Sequence, residues 1–332
     1  MKYSTIDGFD KKISKLVFGT ATPILFAAVA PGATAEDKKK AYELLDDVFR
    51  AGVNTFDCAS HYGEEIMGEW MELRGNREEC VIITKCAHPN KWRDRVTTFD
   101  ILSDIHDSLA KLRTDYVDIY MLHRDNPQVA VEPIVDVMNK LYAEGKVKVF
   151  GGSNWTHQRI AEANEYARAK NLQPFTVSSP NFGLAEQIAD PWVADARFGG
   201  GCVTIAGPDN APARQWYADS GIAVFAYSSL ARGFFSGAFS SSEPEKAKEV
   251  LDEPGILGYY CDNNIKRLER CEELARQMGI TVAQVAIAWI YNQEFDVFAL
   301  SSPVTKQQLQ ANIDAIDIQL TEQQVKWLNL ET

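Results

Sequence analysis

Eight short apolar, β-rich runs alternate with longer amphipathic stretches along this chain, and that alternation restricts the fold more than any other feature. Strand, helix and strand in repeated succession build a parallel sheet, because parallel neighbours need a long crossover to return the chain to the same end. The pattern predicts strands over 16–20 (LVFGT), 53–57 (VNTFD), 81–84 (VIIT) and 117–122 (VDIYML). Four more follow over 148–152 (KVFGG), 176–179 (TVSS), 222–227 (IAVFAY) and 297–300 (VFAL). Several are apolar nearly throughout, as strands covered on both faces are. Eight such units lead us to expect an α/β fold, a (β/α)8 TIM barrel, over residues 1–332 as one domain.

Helical periodicity fills the gaps. Residues 36–51 place Ala41, Leu44, Leu45 and Val48 on one face, with Gly52 at the stop position. Asp100, Asp104, Leu109 and Leu112 fall in the helix before the fourth strand; 131–144, 157–169 and 263–278 behave alike, with Gly279 closing the last. The stretch 281–292 is almost wholly apolar and predicts a buried helix. The first twelve residues, with Asp7-Gly8 between two short runs, read as a β-hairpin placed to plug the barrel floor. Two irregular regions remain. Residues 186–218 contain Gly199, Gly200, Gly201, Pro208 and Pro212, and 236–262 are rich in Ser, Glu and Pro. Both follow expected strands, so both belong on the C-terminal face, where long loops shape a substrate site.

Composition removes several classes of function. With 45% hydrophobic and 24% charged residues this is an ordinary globular composition, and 332 residues bury a full core without staples. A net charge of −12 argues against nucleic-acid or anionic-membrane partners. No run approaches the roughly 18 apolar residues of a membrane span, and MKYSTIDGFDKK has no apolar leader core. The six cysteines show neither CxxC pairs nor zinc-type spacing, which suits reduced thiols in a cytoplasmic protein.

Four polar residues stand at or just beyond three successive strand ends: Asp57 and Tyr62 in GVNTFDCASHYG, Lys85 in IITK and His123 in IYMLH. In a barrel those ends converge on one mouth. Taken singly, a strand-terminal Asp is a turn cap and a lone Lys a solvated charge; together they suit proton delivery to a carbonyl oxygen. A free Tyr ionises near pH 10, too high for ready donation. A neighbouring Lys is expected to draw that value down, Asp to hold the Lys, and a neutral His to orient the substrate oxygen. Neither a metal nor a covalent nucleophile is called for.

These segments resemble the aldo-keto reductase family. GVNTFDCASHYG is similar to its first signature and ILSDIHDSLAKLRTDYVDIYMLHRDNP to its second. KVFGGSNW, IAVFAYSSLARGFFSG and SSPVTKQQLQANIDAI are similar to its cofactor segments. The matches run in order from about residue 16 to 315, and ARGFF points to the branch with potassium-channel β-subunit-like and stress-type reductases. The resemblance implies hydride transfer between NADP and a carbonyl, or the reverse oxidation of a sugar or polyol alcohol. Tyr62 is then the general acid–base, tuned by Lys85 and Asp57, with His123 orienting the carbonyl. Ser153 and Asn154 hold the nicotinamide carboxamide, Tyr227 stacks on the ring, and Gly19 and Thr20 lie beside it. Ser228, Leu230, Arg232 and Gly233 line the pyrophosphate, and Asn312 reads the adenine.

Three departures stand out. Ser179 replaces a Gln that contacts the carboxamide. Ser302 and Gln308 occupy positions where the family carries cations for the 2′-phosphate, leaving Lys306 as the nearby charge, so NAD stays open beside NADP. The 186–218 segment is long, and its Trp192, Phe198 and Trp216 either wall the substrate or pack the loop down. Two other functions compete with the reductase: a cofactor-binding regulatory or redox-sensing subunit, and a keto-sugar lyase or epimerase that retains its cofactor. Oligomeric state is left open.

Overall fold

The computed structural model describes residues 1–193 and 200–332. Two short strands, β1 (Tyr3–Ser4) and β2 (Ile13–Ser14), pair antiparallel ahead of the main sheet. That sheet comprises β3 (Leu16–Gly19), β4 (Thr55–Asp57), β5 (Val81–Cys86), β6 (Val117–Leu122), β7 (Val147–Ser153), β8 (Val177–Ser179), β9 (Ala223–Ala226) and β10 (Val297–Ser301). Each pairs parallel with the next, and β10 returns to β3, so the sheet closes on itself. All eight expected strands are present, with ends displaced by at most a few residues, as cap and fraying effects allow.

Helices wrap the outside: α1 (Pro23–Val29), α2 (Ala35–Arg50), α3 (Glu64–Arg74), α4 (Thr98–Leu112), α5 (Val131–Ala143), α6 (His157–Ala169), α7 (Ala211–Ser220), α8 (Ala247–Val250), α9 (Glu253–Tyr259), α10 (Asp262–Met278), α11 (Val282–Tyr291), α12 (Lys306–Asp314) and α13 (Glu322–Leu328). Threonine starts many of them. Thr34, Thr97, Thr156, Thr281, Thr305 and Thr321 each accept a hydrogen bond from the third residue of the helix that follows. The apolar stretch before β10 is the buried α11, as its composition predicts.

Both irregular regions hold more helix than their Gly and Pro content suggests. Pro212 and Pro254 lie in the first turns of α7 and α9, where a missing N–H costs nothing. The N-terminal hairpin is also smaller than expected, two residues per strand, with Gly8 in the turn at φ +77°. Its connecting loop sends Ile6 and Phe9 into the floor of the barrel, where they join Val17, Val81, Ile119 and Val149.

Two apolar cores result from the strand pleat. Side chains at alternate positions fill the barrel, including Ile83, Met121, Val177, Phe225 and Phe298, with the last two rings stacked 4.7 Å apart. The intervening residues, such as Phe56, Ile82, Tyr120, Leu122 and Phe150, face the helices. One polar group is stitched into the outer layer. Asp118 of β6 is fully buried, accepts from the Ile82 amide at 2.9 Å and pairs with Arg77 at 2.9 Å and Lys11 at 3.1 Å. Removing that carboxylate takes the ionic partner from two cations and the acceptor from the Ile82 amide. We expect Asp118→Ala to cost about 3–5 kcal/mol in urea unfolding, with the secondary structure of the folded state retained.

Candidate active site

The pleat that fills the barrel also aims the polar set. On β5, Val81 and Ile83 point inward, so Lys85 points inward one step higher. On β6, Ile119 and Met121 carry the same phase to His123, just past the strand end. Thr55 and Asp57 on β4 and Val177 and Ser179 on β8 share a face in the same way. The register sets their heights: Gly19 is opposite Asp57, Asp57 opposite Ile83, Lys85 opposite Met121, and Ser153 opposite Ser179.

Lys85 and Asp57 form a buried ion pair, Nζ to Oδ1 2.6 Å, with the two side chains 3% and 7% exposed. Burial is tolerable because the ammonium spends its remaining donors on the Cys58 carbonyl and on Tyr62 Oη, each at 2.9 Å. Tyr62 in turn donates to Asp57 Oδ2 at 3.2 Å. The tyrosine is delivered by a tight turn in which Ala59 and Tyr62 exchange backbone hydrogen bonds, 3.0 and 2.9 Å. Gly63 then turns the chain into α3 at φ +81°. A Cβ there would come within 1.9 Å of Thr20 Oγ1, the hydroxyl that donates to the Asp57 carbonyl at 2.7 Å.

The electrostatics differ from the sequence expectation in one respect. Burial and the adjoining Asp57 carboxylate hold the Tyr62 phenol well above its usual value near 10, rather than letting Lys85 draw it down. Asp57 accepts the phenolic hydrogen bond and neutralises Lys85 together, so the resting group is a protonated donor. His123 behaves as expected. Burial, then the Lys85 and Arg124 cations, keep its imidazole well below 6.5 and therefore neutral. Its Nδ1 is buried with no hydrogen-bond partner among the described residues, and the ring lies 6.4 Å from that of Tyr62, edge to face.

The expected cofactor positions form three patches. At the mouth, Ser153 Oγ donates to the Ser179 carbonyl at 3.0 Å. Asn154, at φ +57°, donates to the His123 carbonyl and accepts from Tyr227 Oη at 2.7 Å. Ser179 Oγ is buried without a partner among the described residues, so with His123 Nδ1 it leaves two polar atoms that a bound amide and carbonyl would satisfy. The second patch runs past Leu230 and carries positive φ at Ser228, Ala231, Arg232 and Gly233, a strained turn of the kind retained at ligand clamps. Its Arg232 is engaged by Asp252 in a bidentate pair, 3.0 Å from Nε, and stacks on Trp192 at 4.7 Å.

In the third patch Ser302 Oγ donates to the Gly19 carbonyl at 2.9 Å, and Gln308 Oε1 accepts from the Val304 amide at 3.0 Å. Asn312, buried, donates to Ser301 Oγ at 2.8 Å. Lys306 is exposed and pairs with Asp47 of α2 at 3.1 Å. Of the three loop aromatics, Trp216 sits on α7 against His157 and Tyr217, which makes it packing. Trp192 lies under Arg232, and Phe198 falls outside the described residues.

Three mouth residues escaped the sequence reading. His61 precedes Tyr62, and its ring stacks 5.3 Å from His123; His88 follows Lys85 by three residues, 4.9 Å from His123. Arg124 is buried beside them and ties the loop down through the Gly200 carbonyl at 3.0 Å. A usable signal existed, since three of the five histidines follow successive strand ends.

Comparison with known proteins bears on the family and the fold. The Aldo/keto reductase family model matches residues 15–194 and 209–329. An aryl-alcohol dehydrogenase [NADP(+)] of Phanerodontia chrysosporium is 26% identical over 317 residues, 88% of this chain and 76% of its own. A probable voltage-gated potassium channel subunit beta of Oryza sativa subsp. japonica is 26% identical over 328 residues, covering 96% and 92%. A crystal structure of a thermostable aldo-keto reductase with the inhibitor epalrestat superposes with a TM-score of 0.71 at 21% identity, over 100% of both chains. The chain belongs to the aldo/keto reductase family and is an oxidoreductase of that class. Among the described residues, no helix is long and apolar enough to cross a membrane.

The turn that delivers Tyr62 is testable by a matched pair of glycine substitutions. Gly63 and Gly145 both adopt positive φ, but only Gly63 meets a neighbour. Gly63→Ala should lower stability by about 1–3 kcal/mol more than Gly145→Ala in parallel urea titrations; equal losses would mean that Thr20 gives way freely.

Proposed function

We propose that this protein reduces an aldehyde or ketone, or oxidises the corresponding alcohol, with Tyr62 moving the proton. The observation that carries the reading is the position of Tyr62 Oη, between Lys85 Nζ at 2.9 Å and Asp57 Oδ2 at 3.2 Å. A bound nicotinamide cofactor supplies or accepts the hydride at the carbonyl carbon. The residues do the rest. His123, neutral and buried, donates to the carbonyl oxygen and fixes its direction. Tyr62 gives its proton to that oxygen as negative charge develops there, and Lys85 then stabilises the phenolate. Asp57 keeps the ammonium oriented throughout.

Ser153, Asn154 and Ser179 would hold the carboxamide, with Tyr227 against the ring and Gly19 and Thr20 beside it. Ser228, Leu230, Arg232 and Gly233 would line the pyrophosphate. Ser302, Lys306, Gln308 and Asn312 would face the adenosine end. NADP is the cofactor implied by the resemblance and carried in the name of the Phanerodontia relative. NAD is its rival, because Lys306 must leave Asp47 to meet a 2′-phosphate. We read residues 1–332 as one barrel domain acting in the cytoplasm on a small molecule. The segments 186–218 and 236–262 then shape the substrate pocket. Aromatic aldehydes are the first candidates, given the aryl-alcohol dehydrogenase relatives. The potassium-channel relative favours a regulatory subunit as the second reading; retention of the whole Asp57–Tyr62–Lys85–His123 set favours catalysis.

Turnover of an aromatic aldehyde tests this directly. Tyr62→Phe should lower kcat by about 10²–10⁴-fold while fluorescence titration shows cofactor binding unchanged. Turnover indifferent to Tyr62 would favour the regulatory reading. Paired titration with NADPH and NADH decides the cofactor, and Lys306→Ala should weaken NADPH alone if the lysine moves to the 2′-phosphate.

A further inference from the structure

The proton-transfer reading employs one of three imidazoles at the barrel mouth and leaves two without a task. His61 lies on the turn after β4, His88 beyond β5 and His123 beyond β6, so barrel closure alone assembles them. The ring of His61 is 4.5 Å from that of His88 and 5.3 Å from that of His123, and His88 is 4.9 Å from His123. One ring nitrogen from each lies within 4.8 Å of the other two.

A zinc-like ion sits about 2.1 Å from each nitrogen, which in a tetrahedral array separates ligands by about 3.4 Å. The rings need to close by about 1.4 Å at most to reach that geometry, and His61 is carried on the turn after β4 rather than on a strand.

Two further features suit a ligand set. His88 Nδ1 lies 2.8 Å from the Pro89 carbonyl, which can only accept, so Nδ1 carries the proton and Nε2 the lone pair. A carbonyl behind the ring is the outer support that metal-binding histidines commonly have. His123 Nδ1 is buried and unbonded among the described residues. Three nitrogens and no carboxylate select a borderline transition ion over magnesium or calcium. The Tyr62 ring is 4.9 Å from that of His61 and 6.4 Å from that of His123, so the cluster adjoins the tyrosine.

We propose that His61, His88 and His123 bind a divalent transition-metal ion of zinc's class across the mouth, and that this ion and a carbonyl substrate exclude one another. Exclusion follows because both would occupy His123; this clause rests on the reductase reading, whereas the site itself does not. The ion takes no part in the proton or hydride transfer. It would act as an inhibitor that closes the mouth.

The experiment titrates the full chain, stripped by chelation and free of substrate, with Co²⁺ alone. Visible d–d bands should saturate at one equivalent and be displaced by Zn²⁺. His61→Asn and His88→Asn, both outside the proton-transfer set, should each weaken Co²⁺ by more than about tenfold with unchanged circular dichroism. Zn²⁺ should raise the KM for an aromatic aldehyde without changing kcat, and His61→Asn should remove that effect. No saturable band, or bands that both variants retain, overturns the site and leaves the rings as a plain wall of the pocket. Zn²⁺ that lowers kcat at constant KM overturns the exclusion. Cobalt binding that both variants weaken supports the site even in a protein without turnover, where only the reductase reading falls.

Discussion

Closing eight parallel strands into a barrel leaves each strand two faces, and the phase of one pleat decides what every later residue can do. On β5 that phase runs Val81, Ile83, Lys85, and on β6 it runs Ile119, Met121, His123. The lower members are apolar because they fill a dry interior; the upper ones can be polar because the interior opens there. A slip of one residue would turn Lys85 toward the helices and bury an unpaired ammonium in the outer core. Floor packing and mouth chemistry are therefore one register problem, and Ile6 and Phe9 plugging the floor help to settle it.

At the mouth the governing effect is desolvation. The whole molecule carries a charge of −12, yet the buried groups respond to neighbours a few ångströms away. Asp57 and Lys85 stay paired because every donor of the ammonium is used. Tyr62 stays protonated because it is buried and because the same carboxylate that restrains Lys85 accepts its hydrogen bond and disfavours a second negative charge. In the proposed reaction this balance favours a held proton over a ready-made phenolate, with Lys85 contributing once charge has moved.

Elsewhere among the expected cofactor positions, several side chains already have partners. Arg232 is shared between Asp252 and Trp192, Lys306 leans on Asp47, and Asn154 spans the His123 carbonyl and Tyr227. A cofactor would exchange its contacts for these rather than fill vacant positions, so cofactor choice depends on differences between ion pairs. Such differences are small at exposed positions, as the pair between exposed Lys306 and Asp47 illustrates.

Much was legible along the chain. Periodicity located all eight strands, and their ends marked Asp57, Lys85 and His123, because both signals are local and repeat with the pleat or the helical turn. Tyr62 could be found because a short turn carries it back to the strand end it left. Pro212 and Pro254 misled because a proline in a first helical turn and a proline in a loop look alike in one dimension. The partners of Arg232 and Lys306, and the direction of the Tyr62 shift, lay beyond the sequence, since each depends on burial and on which charge comes nearest. So did the grouping of His61, His88 and His123, which share no local turn. The chain by itself determined which elements form and which residues stand at their ends, since backbone sterics and side-chain period act over a few residues. Only the closed tertiary structure decided which of those ends meet, because contact and desolvation arise between segments that the sequence holds far apart.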